Sequence, residues 1–122
     1  MKLIQHHING KKISSGNRKG NIFNPAIGEV IANVELGDSK LVSEAVKVSL
    51  NAFEEWQYTT PAKRASIMFK YKRLLEENSE TIAELVSLEH GKTIEDAKGS
   101  LQRGIEVVEF ACSIPNLLKG AF

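Results

Sequence analysis

The chain has 122 residues, 42% of them hydrophobic and 25% charged, which is the make-up of one soluble domain with enough apolar material for a core, and not of a disordered polymer. Its 16 Lys and Arg against 15 Asp and Glu leave a net charge of +1 mixed along the chain, so no field favours nucleic acid or an anionic membrane. One cysteine, no apolar run near the ~18 residues of a membrane span and no signal-peptide core at the start lead us to expect a reducing, cytoplasmic setting.

Taken in order, Leu3 to Ile8 reads as a strand, and Asn9-Gly10 before Lys11-Lys12-Ile13 is a hairpin signal, because both turn residues must adopt positive φ. His6 and His7 lack spaced partner ligands and read as hairpin residues, not as a metal site. Ser14 to Gly20 is polar and glycine-rich, a mobile loop, and Lys11, Lys12, Arg18 and Lys19 read as a solvated basic cluster. Ile22-Phe23 and Glu29 to Val34 then form a second β unit around the turn Asn24-Pro25-Ala26-Ile27-Gly28. Three spaced glycines between a strand and a helix, the mark of a dinucleotide loop, are absent, as is a Walker-type run.

From Asp38, a plausible cap, the chain turns helical. Val42, Val46, Ser49, Phe53 and Trp56 share one face, with Ala45 and Ala52 beside them, and predict a buried stripe about four turns long. Thr59-Thr60-Pro61 starts the next helix, since proline at the first helical position gives up an amide that had no partner there. Ala65, Met68, Tyr71 and Leu75, flanked by Ile67, Phe69 and Leu74, make its wide stripe, in which Phe69 and Tyr71 read as core. Asn78-Ser79 interrupts, Thr81 to Glu89 resumes, and Gly91 supplies a left-handed stop.

Thr93 caps a new helix beginning at Ile94, with Asp96 in the capping-box position and Glu95 adding charge at the positive end of the helix dipole. Along it Ala97, Leu101, Ile105, Val108 and Cys112 form an apolar stripe, which makes Cys112 a buried structural thiol and a poor nucleophile. Gly99 and Gly104 each cost that helix about 1 kcal/mol relative to alanine. The cost asks for a close approach, by another backbone or by a ligand. Arg103 lies off the stripe beside Gly104; it reads either as pairing with Glu106 or Glu109 on the same helix, of which the three-residue spacing to Glu106 allows a surface ion pair, or as making a ligand contact. The whole is an α+β chain, mostly helical with two short N-terminal β units and neither an internal repeat nor a βαβ alternation. It reads as a single partial domain over 1–122, with the hairpin and β segment over 1–36 and helical segments over 37–122.

Ile8-Asn9-Gly10-Lys11, Phe23-Asn24-Pro25-Ala26-Ile27-Gly28-Glu29-Val30-Ile31 and Glu89-His90-Gly91-Lys92-Thr93, in this order and spacing, resemble the N-terminal part of the aldehyde dehydrogenase superfamily, an α/β fold. Gln102-Arg103-Gly104-Ile105-Glu106-Val107-Val108-Glu109-Phe110-Ala111 followed by Ile114-Pro115 is most similar to its methylmalonate-semialdehyde dehydrogenase branch, which is NAD-dependent and CoA-acylating. Ile27 stands where threonine is commoner in the family, a departure on a loop.

The resemblance implies an N-terminal fragment, because the family's catalytic cysteine, oxyanion asparagine, general-base region and glycine-containing NAD segment fall beyond the equivalent of Phe122. Cys112 does not match that cysteine. The implied whole enzyme uses NAD and CoA on a small semialdehyde and forms a homo-oligomer. The fragment would be inactive alone, carry neither cofactor, and have the remainder of the dehydrogenase chain as its partner. Arg103 would match an arginine that helps hold the substrate carboxylate, with a second arginine outside this chain. The alternative from another functional class is a stand-alone, non-catalytic helical interaction module.

Overall fold

A computed structural model describes residues 1–16 and 18–120, which fall into two compact units, Met1–Tyr58 and Thr59–Phe122.

The first unit holds five strands: β1 (Lys2–Ile4), β2 (His6–Ile8), β3 (Lys11–Ile13), β4 (Lys19–Asn24) and β5 (Glu29–Glu35), followed by α1 (Ser39–Trp56). β2 and β3 are the expected hairpin, antiparallel with Ile8 opposite Lys11, and Asn9 and Gly10 take φ of 52° and 71°. The Leu3–Ile8 run, however, is divided between two sheets. β1 lies parallel to β5 in a sheet of order β1-β5-β4, while β2 belongs to the hairpin, with Gln5 between them. β4 and β5 pair antiparallel across the Asn24–Gly28 turn, where the Asn24 carbonyl accepts from the Gly28 amide at 2.8 Å and Gly28 has φ 71°. Lys19 and Gly20, expected in a loop, are the start of β4 opposite Glu35 and Val34.

The stretch expected to be mobile is also tied down at its near end. Ser14 Oγ donates to Glu35 Oε1 at 2.5 Å and the Ser15 amide to Glu35 Oε2 at 2.9 Å, while His6 Nε2 lies 3.1 Å from Ser15 Oγ. Glu35, 3% exposed, thereby fastens the hairpin to the end of β5. Its pKa is held below the ordinary 4.5, chiefly by the Ser14 hydroxyl; burial opposes this, and the Ser15 amide and the charges of His6 and Lys19 add to it. A folded-state pKa below the unfolded one stabilises fully above the ordinary carboxylate range and is lost as pH falls through the folded value. Denaturant unfolding of the first unit is therefore expected to weaken below about pH 4.5. The fall should be shallower in Ser14→Ala, and an unchanged pH profile there would show that the hydroxyl does not hold the carboxylate.

α1 starts as expected, with Asp38 Oδ1 accepting from the Leu41 amide at 2.9 Å. Its apolar stripe, expected to be buried, is open: Val42, Val46 and Phe53 are each more than half exposed, and Leu41, Ala45 and Val48 are the half-buried positions instead. Hydrophobic periodicity marks a face that favours cover without supplying what covers it.

The second unit contains α2 (Pro61–Glu77), α3 (Ser79–His90), α4 (Ile94–Cys112) and the short α5 (Ile114–Leu117). Thr60 caps α2 ahead of Pro61, Gly91 ends α3 at φ 73°, and Thr93 Oγ1 accepts from the Asp96 amide at 3.1 Å. α2 and α3 both pack on α4. The expected α4 stripe does face inward: Ala97, Ile105 and Cys112 are buried, and Leu101 and Val108 half-buried. With Ala65 and Ala83 they make a core of small side chains, which lets helix axes approach closely but buries little area.

Lys72, not Tyr71, points along the inner side of α2, with its ammonium 2.7 Å from Glu76 and 3.8 Å from Glu109 on α4; the Glu76 hydrogen bond chiefly raises its pKa. Phe69 and Tyr71, expected as core, are 57% and 48% exposed. A wide apolar stripe exceeds what one neighbouring helix can cover, so its flanks stay open.

Candidate functional site

The chain reversal between α3 and α4 brings three polar side chains together. Gly91 takes the left-handed conformation that only glycine adopts without penalty, so α3 stops and Lys92 is turned back toward the helix that follows. Ser87 Oγ on α3 donates to the Lys92 carbonyl at 2.7 Å and pins the turn. Lys92 Nζ then reaches eight residues forward and donates to Ser100 Oγ at 2.7 Å. One helical turn further, Arg103 Nη2 donates to the same oxygen at 3.4 Å.

Two cations thus meet on one hydroxyl. A serine oxygen has two lone pairs and one O–H, so accepting from both leaves the hydroxyl proton free to be donated elsewhere. Neither expected acidic partner engages Arg103. Glu106 accepts from Gln102 Nε2 at 3.5 Å, Glu109 sits beside Lys72, and among the described residues no ion pair involves Arg103. Arg103 is exposed, whereas Lys92 and Ser100 are half-buried. A guanidinium has five N–H donors in a planar fork, so one bond to Ser100 leaves most of the fork available.

Gly104, next to Arg103, is not a tight helix crossing. A Cβ built there, or at Gly99, meets nothing within 4 Å. Gly104→Ala is therefore expected to stabilise the 122-residue chain by about 0.5–1 kcal/mol, the helical advantage of alanine over glycine. Urea unfolding checks this, and a lowered midpoint would mean that the glycine serves packing within this chain.

Cys112 lies buried at the end of the α4 stripe. Among the described residues, β5 leads into α1 through Leu36-Gly37-Asp38, which carries one glycine and not the spaced glycines of a dinucleotide loop, and a Cβ on that glycine would lie 3.1 Å from Leu41. Lys92 and Ser100 are the site residues that spacing did not single out. The available signals were the position of Ser100 three residues before Arg103 and of Lys92 directly after the helix stop.

An α+β chain with this strand order, these helix caps and this cluster matches the aldehyde dehydrogenase family model over residues 12–122, and it belongs to that family. It is 46% identical over 122 residues to the malonate-semialdehyde dehydrogenase of Pseudomonas aeruginosa, covering 100% of this chain and 24% of that protein. Against the crystal structure of methylmalonate-semialdehyde dehydrogenase from Oceanimonas doudoroffii it has a TM-score of 0.96 at 46% identity, over 99% of this chain and 25% of the other. A Sinorhizobium meliloti protein described as the same enzyme, solved with NAD, gives a TM-score of 0.92 at 43% identity, over 96% of this chain and 24% of the other. The chain spans about a quarter of the length of the curated relatives it matches. It has the fold of the N-terminal part of such dehydrogenases, mostly helical with short strands.

Proposed function

We propose that this chain is the N-terminal part of an NAD-dependent, CoA-acylating methylmalonate-semialdehyde dehydrogenase, inactive on its own, cytoplasmic and homo-oligomeric when whole. The similarity to semialdehyde dehydrogenases along the entire chain supports the reading, and the NAD bound in one related structure supports the cofactor. Among the described residues, no helix is long and apolar enough to cross a membrane.

In the complete enzyme a cysteine thiolate contributed by the rest of the chain attacks the aldehyde, and CoA releases the acyl group as a thioester. NAD, when bound there, accepts the hydride. What this chain contributes is substrate recognition. Arg103 grips the substrate carboxylate, and the observation that carries this role is its exposed guanidinium, engaged with a neutral hydroxyl and with neither Glu106 nor Glu109. A guanidinium is charged at every physiological pH and matches a carboxylate with two parallel hydrogen bonds.

The test is the complete dehydrogenase incubated with methylmalonate or malonate semialdehyde and NAD, with and without CoA, following NADH and acyl-CoA. NADH formation that depends on CoA, with an acyl-CoA product, is expected. A free acid formed at an undiminished rate without CoA would refute the acylating chemistry.

A further inference from the structure

The reading of Arg103 leaves Lys92 unexplained. Lys92 is half-buried and its ammonium donates at 2.7 Å to a serine that also accepts from Arg103, while among the described residues no ion pair involves Lys92. A lysine serving only as a solvated residue keeps its ammonium in water, and one serving an ion pair finds a carboxylate, as Lys72 and Lys98 do in the same unit. Here the backbone is fixed from behind by Ser87, so the ammonium is aimed at Ser100 by the turn. The consequence is directional. Lys92 Nζ at 2.7 Å and Arg103 Nη2 at 3.4 Å both donate to Ser100 Oγ, so the serine can donate its own proton to neither, and the two cations share one acceptor.

We propose that Lys92 is a positioning residue for Arg103: anchored on Ser100, it orients the shared hydroxyl and turns the free edge of the guanidinium, with the serine O–H beside it, toward one carboxylate of the substrate. This rests on the carboxylate-binding role of Arg103. Lys92 itself touches no substrate and acts through Ser100 and Arg103.

The experiment uses the complete dehydrogenase with two substrates, methylmalonate semialdehyde and propanal, which lacks the carboxylate. Lys92→Met removes the ammonium at similar length, and Ser100→Ala removes the shared hydroxyl, which keeps the test available if the first variant folds poorly. Either is expected to raise KM for the semialdehyde about threefold to tenfold, the range of one lost hydrogen bond, with KM for propanal nearly unchanged. Lys92→Arg is expected to restore part of the loss. Adding Lys92→Met to Arg103→Ala should cost little more than Arg103→Ala alone, because a residue that acts through another has nothing left to act on.

Equal losses on both substrates in Lys92→Met and Ser100→Ala, or losses that multiply with that of Arg103→Ala, overturn the positioning role while leaving Arg103 as the carboxylate ligand. Arg103→Ala affecting both substrates alike overturns the underlying reading instead, so the two failures are distinguishable.

Discussion

Arg103→Ala in the complete dehydrogenase is expected to raise KM for methylmalonate semialdehyde by about 10- to 100-fold while leaving that for propanal within about twofold. The magnitude follows from a charge-assisted pair of hydrogen bonds to a carboxylate, about 1.5–3 kcal/mol, at about 1.4 kcal/mol per factor of ten. The effect belongs in KM because the proposed grip on the carboxylate would act in the ground state and in the transition state alike, so uniform binding would be lost. Arg103→Lys should recover only part, since an ammonium offers a point charge where the fork offers two parallel donors. Steady-state kinetics on both substrates check this. Loss by one common factor would mean that Arg103 holds α4 in place and does not read the substrate.

The 122-residue chain alone is expected to show no NAD-dependent oxidation of any aldehyde. Its one thiol, Cys112, is 5% exposed on the inner face of α4, where an aldehyde cannot reach the sulfur. Among the described residues, no strand-to-helix turn carries the spaced glycines that let a backbone approach a pyrophosphate. Turnover by the purified chain above a thiol-blocked control would refute this.

The same chain is expected to self-associate. Val42, Val46, Leu50 and Phe53 present one continuous apolar face on α1, and surfaces of that kind seldom stay uncovered in monomers. Light scattering at rising concentration reads the outcome, and a monomer with sharp thermal unfolding would contradict it.

Local signals in the chain set its punctuation. Asp38, Thr60 and Thr93 cap helices, Asn9-Gly10 turns a hairpin, and Gly91 ends α3, because each is decided by bonds or dihedrals within about four residues of chain. The α4 stripe was legible for a related reason: one helical period places Ala97, Ile105 and Cys112 on one side whatever lies opposite. Arg103 was legible as a residue off that stripe, and its surroundings were not. Long-range pairing divides Leu3 to Ile8 between two sheets, joins Lys19 and Gly20 to β4, and lets Glu35 clamp Ser14 and Ser15. Those are pairings between segments distant in sequence, on which local propensity is silent. The same holds for burial on α1 and α2, where periodicity names a face and a neighbour must supply its cover. Lys92, Ser100 and Arg103 converge because a left-handed glycine reverses the chain just before them, aiming the lysine at a hydroxyl two turns into the next helix.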